Sequence, residues 1–530
     1  MKAIVATIVL FLLSYFAILP LLGSGWFPMH DDTQVGRIIS MGRALRNGQF
    51  PVRWVSDLGY GYGYPLFNFY GPLPYYVGGA LYAAGFSGLV ATKIMFGIGI
   101  VGAGLTMFLF VRTLFGNLAG LVAGVTYLYA PYHAVQIYVR GAVGEFWVLV
   151  FLPLILLGVS KRNVILGAIG LAGVILSHTI LGYVTALAFI LGLRRKTLNI
   201  YALGLGLSAF FWLPAMLEMG YTNVAGQIGS TAFWGDHFIC FGQLWHSDWG
   251  FGGSIPGCID GISFKLGKAH ILLAVLGIGI AFLRLRSSRN RGILIAVLAL
   301  LISSIYMMLP ASGWIWRIVP NATFVQYPWR MLVYTILALS VFAGAFIGVA
   351  RERVLRIFLA AAVVVVVIAV NGKLFAPQFE FAKDASSLET PVELRLRVSA
   401  ISDEYLPPDV PRPRDFSEIP NDTIKRVANG TIETEIDTET YTKAQITVAE
   451  GETITINRAH FPGWRYYIEG KEITPNVARG LPTFELEPGS YLFESRFTDT
   501  PVRILGNTVS LISLFFIIYL FSRYEKKAHT

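Results

Sequence analysis

The sequence predicts a polytopic α-helical membrane protein of about twelve transmembrane helices, carrying a small C-terminal extracytoplasmic β-sandwich-like domain. Three observations lead there. Hydrophobic residues make up 55% of the 530 and charged residues only 14%, with a mean hydropathy of +0.59, more apolar surface than a soluble chain of this length can bury. Apolar runs of membrane-crossing length recur along residues 1–371 and return once near the C-terminus. Residues 372–503, by contrast, are polar and charged throughout, and their second half alternates with period two. The formal net charge of +10 would suit nucleic acid in a soluble chain. Here the basic residues sit in short connections between apolar runs, where they set orientation, and no nucleic-acid partner is expected.

The first run, residues 3–22, is long enough to span and lacks the short apolar region and small-residue cleavage site of a signal peptide, so it reads as a retained span. Further runs lie at 88–111, 118–138, 143–159, 163–177, 179–193, 199–217, 267–283, 292–309, 331–350, 356–371 and 504–521. Threaded this way, the basic connections after Arg112, at 160–163, 193–196, 284–291 and 351–356, and the tail 522–527 all fall on the inner side with both termini. Counting residues 72–85 as a span would reverse every later loop, so that segment reads as a juxtamembrane or re-entrant helix. The unusual polar segments then gather on the outer face. The division is a transmembrane region 1–371 with outer loops 23–87 and 218–266, an extracytoplasmic region 372–503 with its β domain at about 425–500, and a final span and tail, 504–530.

The outer loops hold the chemistry. FPMHDDTQVGR, residues 27–37, sets His30, Asp31 and Asp32 side by side at a membrane edge, and the VGRIISMGRALRNG that follows suits a helix lying in the interface. In YLYAPYHAVQIYVRGAVGEF, residues 127–146, Arg140 and Glu145 bracket a glycine-rich turn. An ionisable group at bilayer-centre depth costs about 2.5–3.5 kcal/mol on insertion scales, so these two either pair across the turn or face water in a site. His178 marks an outer corner. Residues 233–261 are dense in His, Asp and Trp, His237 among them, without the spacing of a zinc site. The two cysteines, Cys240 and Cys258, share this loop, and in an oxidising compartment a disulfide is the expected pairing. In VPNATFVQYPWRML, residues 319–332, Arg330 either snorkels at the interface or contacts phosphate. AQITVAE, ETITINRAHF, RYYIEGKEIT and FELEPGSYLFESRF supply the alternating strands.

In combination, the acidic pair after span one, YPLFNFYGPLPYY, YAPYHAVQIYVRGAVGE, WGFG, QYPWR and FPGWRYYIEGK resemble a family of large prokaryotic membrane proteins with a pterin-synthase-related name. That family in turn resembles the GT-C superfamily of integral-membrane glycosyltransferases. The resemblance implies a polyprenyl-phosphate-linked sugar donor, a glycan, lipid or protein acceptor, and an extracytoplasmic active site among membrane lipids. It also implies an acid of the first outer loop as catalytic base or metal ligand, with inverting stereochemistry. Asp31 is the expected base, and Asp32 orients the acceptor or shares a divalent cation, Mg or Mn, with it. A neighbouring carboxylate would also raise the basicity of one member of the pair. Arg140 and Arg330 are the phosphate candidates, and Glu145, His178 and His237 complete the substrate-binding set. A transporter or flippase of lipid-linked sugars and a non-catalytic envelope-assembly protein remain alternatives on the sequence alone.

Overall fold

A computed structural model describes residues 2–191, 197–224, 233–284, 288–425 and 427–529 of the chain. The basic connection at 193–196, and residues 285–287 of the one at 284–291, lie outside the described residues. Among the described residues, six helices are long and apolar enough to cross a membrane: Gly88–Phe115, Val143–Lys161, Asn290–Met308, Pro328–Val349, Arg353–Leu374 and Pro501–Arg523. Two bent pairs bring the number to eight if each is a single crossing: Ala3–Leu13 with Tyr15–Leu22, bent by 43°, and Leu198–Leu207 with Ala209–Leu217, bent by 73°. Both bends occur at a serine whose hydroxyl bonds back into its own helix. Ser14 Oγ donates to Phe11 O at 2.6 Å, and Ser208 Oγ donates to Gly204 O at 2.9 Å, a contact that competes with the helical ladder and bends it.

The apolar runs of the sequence outnumber these long helices because several are interrupted. The run at 118–138 is helical over Asn117–Leu128, breaks before Pro131, and continues as a short α-helix Pro131–Ala134 and a π-helix Val135–Arg140. Twelve residues at 1.5 Å each reach about 18 Å, short of a ~30 Å hydrocarbon core. Val164–Ser177, Thr179–Ala188 and Lys268–Leu283 are likewise shorter apolar helices. Hydropathy registers the runs but not the breaks within them.

The first outer loop is organised around the helix Gln34–Arg46. Instead of lying in an interface it is enclosed, with ten of its thirteen residues buried. The helix Leu73–Ala83 packs on one side, so closely that a Cβ on Gly42 would sit 2.8 Å from Gly79 O. Small residues are what allow two helix backbones to approach that far. The π-helix Val392–Val398 covers another side, placing Leu394 and Val398 against Gly36. The covering segment lies more than 300 residues away in sequence, which is why an amphipathic pattern read alone suggests an interface.

The β region forms two antiparallel sheets, one ordered β1 (Gly430–Asp437), β2 (Tyr441–Val448), β8 (Gly489–Phe497), β4 (Trp464–Ile468) and β5 (Lys471–Ile473), the other β3 (Glu452–Thr455), β7 (Leu481–Leu486) and β6 (Asn476–Ala478). Along β2 the buried residues are Thr442, Ala444, Ile446 and Val448, as period-two alternation requires. The sheets face each other through Tyr466, Phe484 and Phe493, with ring centroids 5.3 Å apart for Tyr466–Phe484 and 5.8 Å for Phe484–Phe493.

This domain is fastened to the helical part by polar contacts. Ala459 N donates to Tyr62 O at 2.8 Å, and Arg503, fully buried at the start of the last helix, donates from Nη2 to Pro462 O at 2.9 Å. Arg503 Nε also donates to Glu218 Oε2 at 3.0 Å, and the same oxygen accepts from Asn68 Nδ2 at 2.8 Å. First loop, middle of the chain and last helix thus meet on one carboxylate.

Cys240 and Cys258 are paired, their Cα atoms 5.5 Å apart across a separation of 18 residues. Loop-closure entropy for a ring of that size is worth about 3 kcal/mol. Replacing both by serine is expected to lower the thermal midpoint of the purified protein by the amount that loss implies; an unchanged midpoint would show that the surrounding packing alone holds the loop.

Candidate functional site

A cavity of about 300 Å³ opens where the first outer loop, the Arg140 turn, the His178 corner, the QYPWR segment and residues 401–405 converge. Asp31, Arg140, Glu145, His178 and Arg330 all line it. Asp32 and His237 do not.

Backbone pairing places Asp31. His30 N donates to Val139 O at 3.0 Å and Asp31 N to Arg140 O at 2.8 Å, tying the loop to the end of the π-helix Val135–Arg140. Gln34 Nε2 reinforces the junction by donating to Asp31 O at 3.1 Å and Gly141 O at 2.8 Å. Gly141 itself has φ +66°, and a Cβ there would lie 2.2 Å from Met29 Sδ. A left-handed backbone with no room for a side chain needs glycine. The Asp31 side chain, 40% exposed, faces the cavity and meets His30 Nδ1 at 3.3 Å. Burial alone would push its carboxyl up, but the His30 hydrogen bond and the Arg140 charge outweigh it and hold Asp31 below the ordinary aspartate value. It is therefore a carboxylate at neutral pH.

Asp32 points elsewhere. Trp26 Nε1 donates to its Oδ1 at 3.2 Å, and Arg397 Nη1 to its Oδ2 at 3.1 Å. Asp32 is held by these two partners and does not line the cavity, while the carboxyl of Asp31 is lowered rather than raised. The two carboxylates diverge because consecutive residues in a turn project in different directions, and Arg397 claims one of them. Among the described residues no group of three His, Cys, Asp or Glu is placed to hold a metal ion. Asp32 is thus engaged by Trp26 and Arg397, and of the pair Asp31 alone lines the cavity.

Glu145 is the electrostatic hub. Its Oε2 accepts from Arg140 Nη1 at 2.9 Å, Gln136 Nε2 at 2.8 Å and Tyr132 Oη at 3.2 Å. Its Oε1 accepts from Arg140 Nη2 at 3.1 Å and Arg330 Nε at 2.8 Å. The Arg140–Glu145 turn closure and the cavity are thus one feature. Two guanidiniums share the Glu145 carboxylate, and the Asp31 carboxylate acts on Arg140 as well. Arg330 Nη1 is used on Val325 O at 2.7 Å and Gln326 Oε1 at 3.3 Å, whereas its Nη2 has no protein partner among the described residues. Aromatic faces hold both cations, Arg140 4.6 Å from the Trp329 centroid and Arg330 5.1 Å from that of Tyr327.

His178 caps the next helix. Leu181 N donates to its Nδ1 at 3.1 Å, which assigns the ring proton to Nε2, facing Glu145 Oε1 at 3.9 Å. Burial pushes this imidazole down to about 3, so it enters the cavity as a neutral donor. His237 sits one layer back: its Nδ1 lies 2.9 Å from Ser254 Oγ, which also accepts from Trp329 Nε1 at 2.9 Å. It supports the ring beneath Arg140 without reaching the cavity.

Comparison with known proteins adds the following. No protein-family model matches the chain. A protein of Lactococcus lactis subsp. cremoris (strain MG1363), itself described only as uncharacterized, is 26% identical over 240 residues, 39% of each chain. Among solved structures, the arabinofuranosyltransferase AftD from Mycobacteria has 15% identity and a TM-score of 0.46, over 72% of this chain and 27% of its own. The Archaeoglobus fulgidus oligosaccharyltransferase in its apo form has 14% identity and a TM-score of 0.47, over 79% and 61%. The chain spans less than two thirds of the length of each of these three proteins, and the functional reading below rests on the cavity.

Four cavity residues escape a reading of the sequence. Arg37, on the buried face of the Gln34–Arg46 helix, donates from Nη2 to Ser402 Oγ at 2.6 Å and lies 4.3 Å from the Tyr70 centroid. Ser402 in turn donates to Glu404 Oε2 at 2.8 Å. Burial raises the Glu404 carboxyl above the ordinary glutamate value, with Arg37 opposing. Thr33 Oγ1 is buried and has no partner. The acidic SDEY at 402–405 was the available signal, but in a polar stretch an acid carries no contrast.

Proposed function

We propose that the chain is a membrane glycosyltransferase that moves a sugar from a polyprenyl-phosphate-linked donor to a hydroxyl of a cell-envelope acceptor, on the extracytoplasmic face. One observation carries this reading: a single cavity joins the carboxylate of Asp31 to the Arg140–Arg330 corner, where Arg330 Nη2 has no protein partner among the described residues. Asp31 takes the proton of the acceptor hydroxyl as that oxygen bonds to the anomeric carbon. The bond from that carbon to the phosphate oxygen breaks, and the electron pair leaves with the phosphate. Arg330 Nη2 and the neutral His178 Nε2–H donate to the departing oxygens, where developing charge makes preorganised donors most effective. A phosphate is already a good leaving group, so a carboxylate held below its usual pKa suffices as base. Direct displacement of this kind inverts the anomeric centre. The twelve-span threading, with both termini inside, belongs to the same proposal, as it brings the cavity to the outer side.

The test is incubation of the protein in nanodiscs with radiolabelled polyprenyl-phosphate sugars and extracted envelope acceptors. Labelled product is expected, and Arg330→Gln is expected to raise the donor KM by about 10- to 100-fold, the worth of one hydrogen bond between charged groups. Absence of product with every donor, alongside movement of intact donor across liposomes, would replace the enzyme by a flippase.

A further inference from the structure

A second cavity, of about 340 Å³, lies between the first outer loop and the β domain. Its walls come from the far end of the Gln34–Arg46 helix, residues 54–63, residues 420–423 and the β1–β2 hairpin. Four arginines and four acidic residues line it. Arg43 is paired with Asp57 and Arg458 lies 3.5 Å from Asp437, so most of this charge is matched within the wall and attracts a phosphate or a metal cation only weakly, while the mixture of donors and acceptors suits groups that both give and receive hydrogen bonds.

Two buried polar atoms on its wall have no partner, Glu439 Oε2 and Trp54 Nε1. Glu439 is only 5% exposed. Burial, with the Asp57 charge adding to it, lifts its carboxyl to about 8, and Arg43 only partly opposes. Arg43 is itself paired with Asp57 at 2.7 Å. At neutral pH Glu439 therefore holds a proton and can donate as well as accept. Unpaired buried polar groups are costly, and a hydroxyl-bearing ligand offers this wall both a donor and an acceptor.

Position links this cavity to the first. Arg37 lines the first cavity and Arg43 the second, on the same helix, and six helical residues advance about 9 Å. The segment after Val392–Val398 bridges them similarly, Arg395 lining the second cavity and Ser402 the first.

We propose that the second cavity binds uncharged carbohydrate, holding the distal sugar residues of a glycan acceptor whose terminal hydroxyl reaches Asp31. The binding site stands on its own geometry; its role as an acceptor subsite rests on the function proposed above. The experiment measures binding without turnover. Full-length protein in nanodiscs is titrated with mannotriose, maltotriose and arabinotriose, and separately with inorganic phosphate and Mg²⁺, by saturation-transfer NMR and calorimetry. At least one trisaccharide is expected to bind, with Kd raised tenfold or more by Glu439→Ala and by Asn457→Ala, whose residue also lines the cavity, and retained by Glu439→Gln and by Arg330→Gln. Thermal midpoints within a few degrees of wild type confirm that the variants are folded. Failure of all three trisaccharides to bind, binding indifferent to both alanine variants, or binding of phosphate or Mg²⁺ alone would overturn the site. Trisaccharide binding in a protein that transfers no sugar would leave the site standing and overturn the acceptor role.

Discussion

Asp31→Asn is expected to lower the rate of sugar transfer by about 10²- to 10⁴-fold, the usual worth of a positioned general base, with the donor KM little changed. Asparagine keeps the shape of the side chain and removes its capacity to take a proton. Because Arg330 and His178 hold the phosphate independently of Asp31, the loss belongs in kcat. The pH profile supplies a second readout. The base must be ionised, and its carboxyl is held below the ordinary aspartate value of 3.8, so the acid limb falls only at or below that value and the rate is level above it. A limb centred near pH 6 would assign the base to another group. Equal transfer by wild type and Asp31→Asn would remove Asp31 from the chemistry altogether.

Glu145→Ala is expected to be the most destabilising single change at the site. Glu145 is 1% exposed and receives both Arg140 and Arg330; without it two guanidiniums remain together with only the more exposed Asp31 as counter-charge. Breaking a buried ion pair from one side costs about 3–5 kcal/mol, and here two cations lose the same partner. Arg140→Ala should cost less, because Glu145 keeps Arg330. Thermal unfolding of the two variants in the same detergent, scored by the order of their midpoints, is the measurement. The reverse order, with Arg140→Ala the less stable, would mean that the stacking of Arg140 on Trp329 matters more than the shared carboxylate. A phosphate-bearing ligand would substitute for the missing charge, so polyprenyl phosphate is expected to raise the Glu145→Ala midpoint more than that of wild type.

What the sequence made legible follows a physical rule. Arg140, Glu145, His178 and Arg330 stand out because a charge or an imidazole beside apolar runs must pair or face water, and they meet in one cavity. The strands are legible because period-two burial writes itself directly into β2. Contrast fails where the background is already polar, and Glu404 and Ser402 are invisible for that reason. Adjacency misleads as well: Asp31 and Asp32 are neighbours in the chain, yet Arg397, 365 residues away, turns one of them aside. The Gln34–Arg46 helix shows the same limit, since its burial depends on segments that its own periodicity cannot announce.

The π-helix Val135–Arg140 has a consequence of a different kind. A π turn accommodates one residue more than an α-helical turn, and each residue of an α-helix is worth about 100° of rotation. Deleting a single residue from this stretch, whichever one, would swing Arg140 away from Glu145 and pull with it the Asp31 amide bonded to its carbonyl. The alignment of base and phosphate cradle is thus stored as a count of residues as well as in their identities. A substitution scan that preserves the count would pass over that information, whereas a deletion scan would find it.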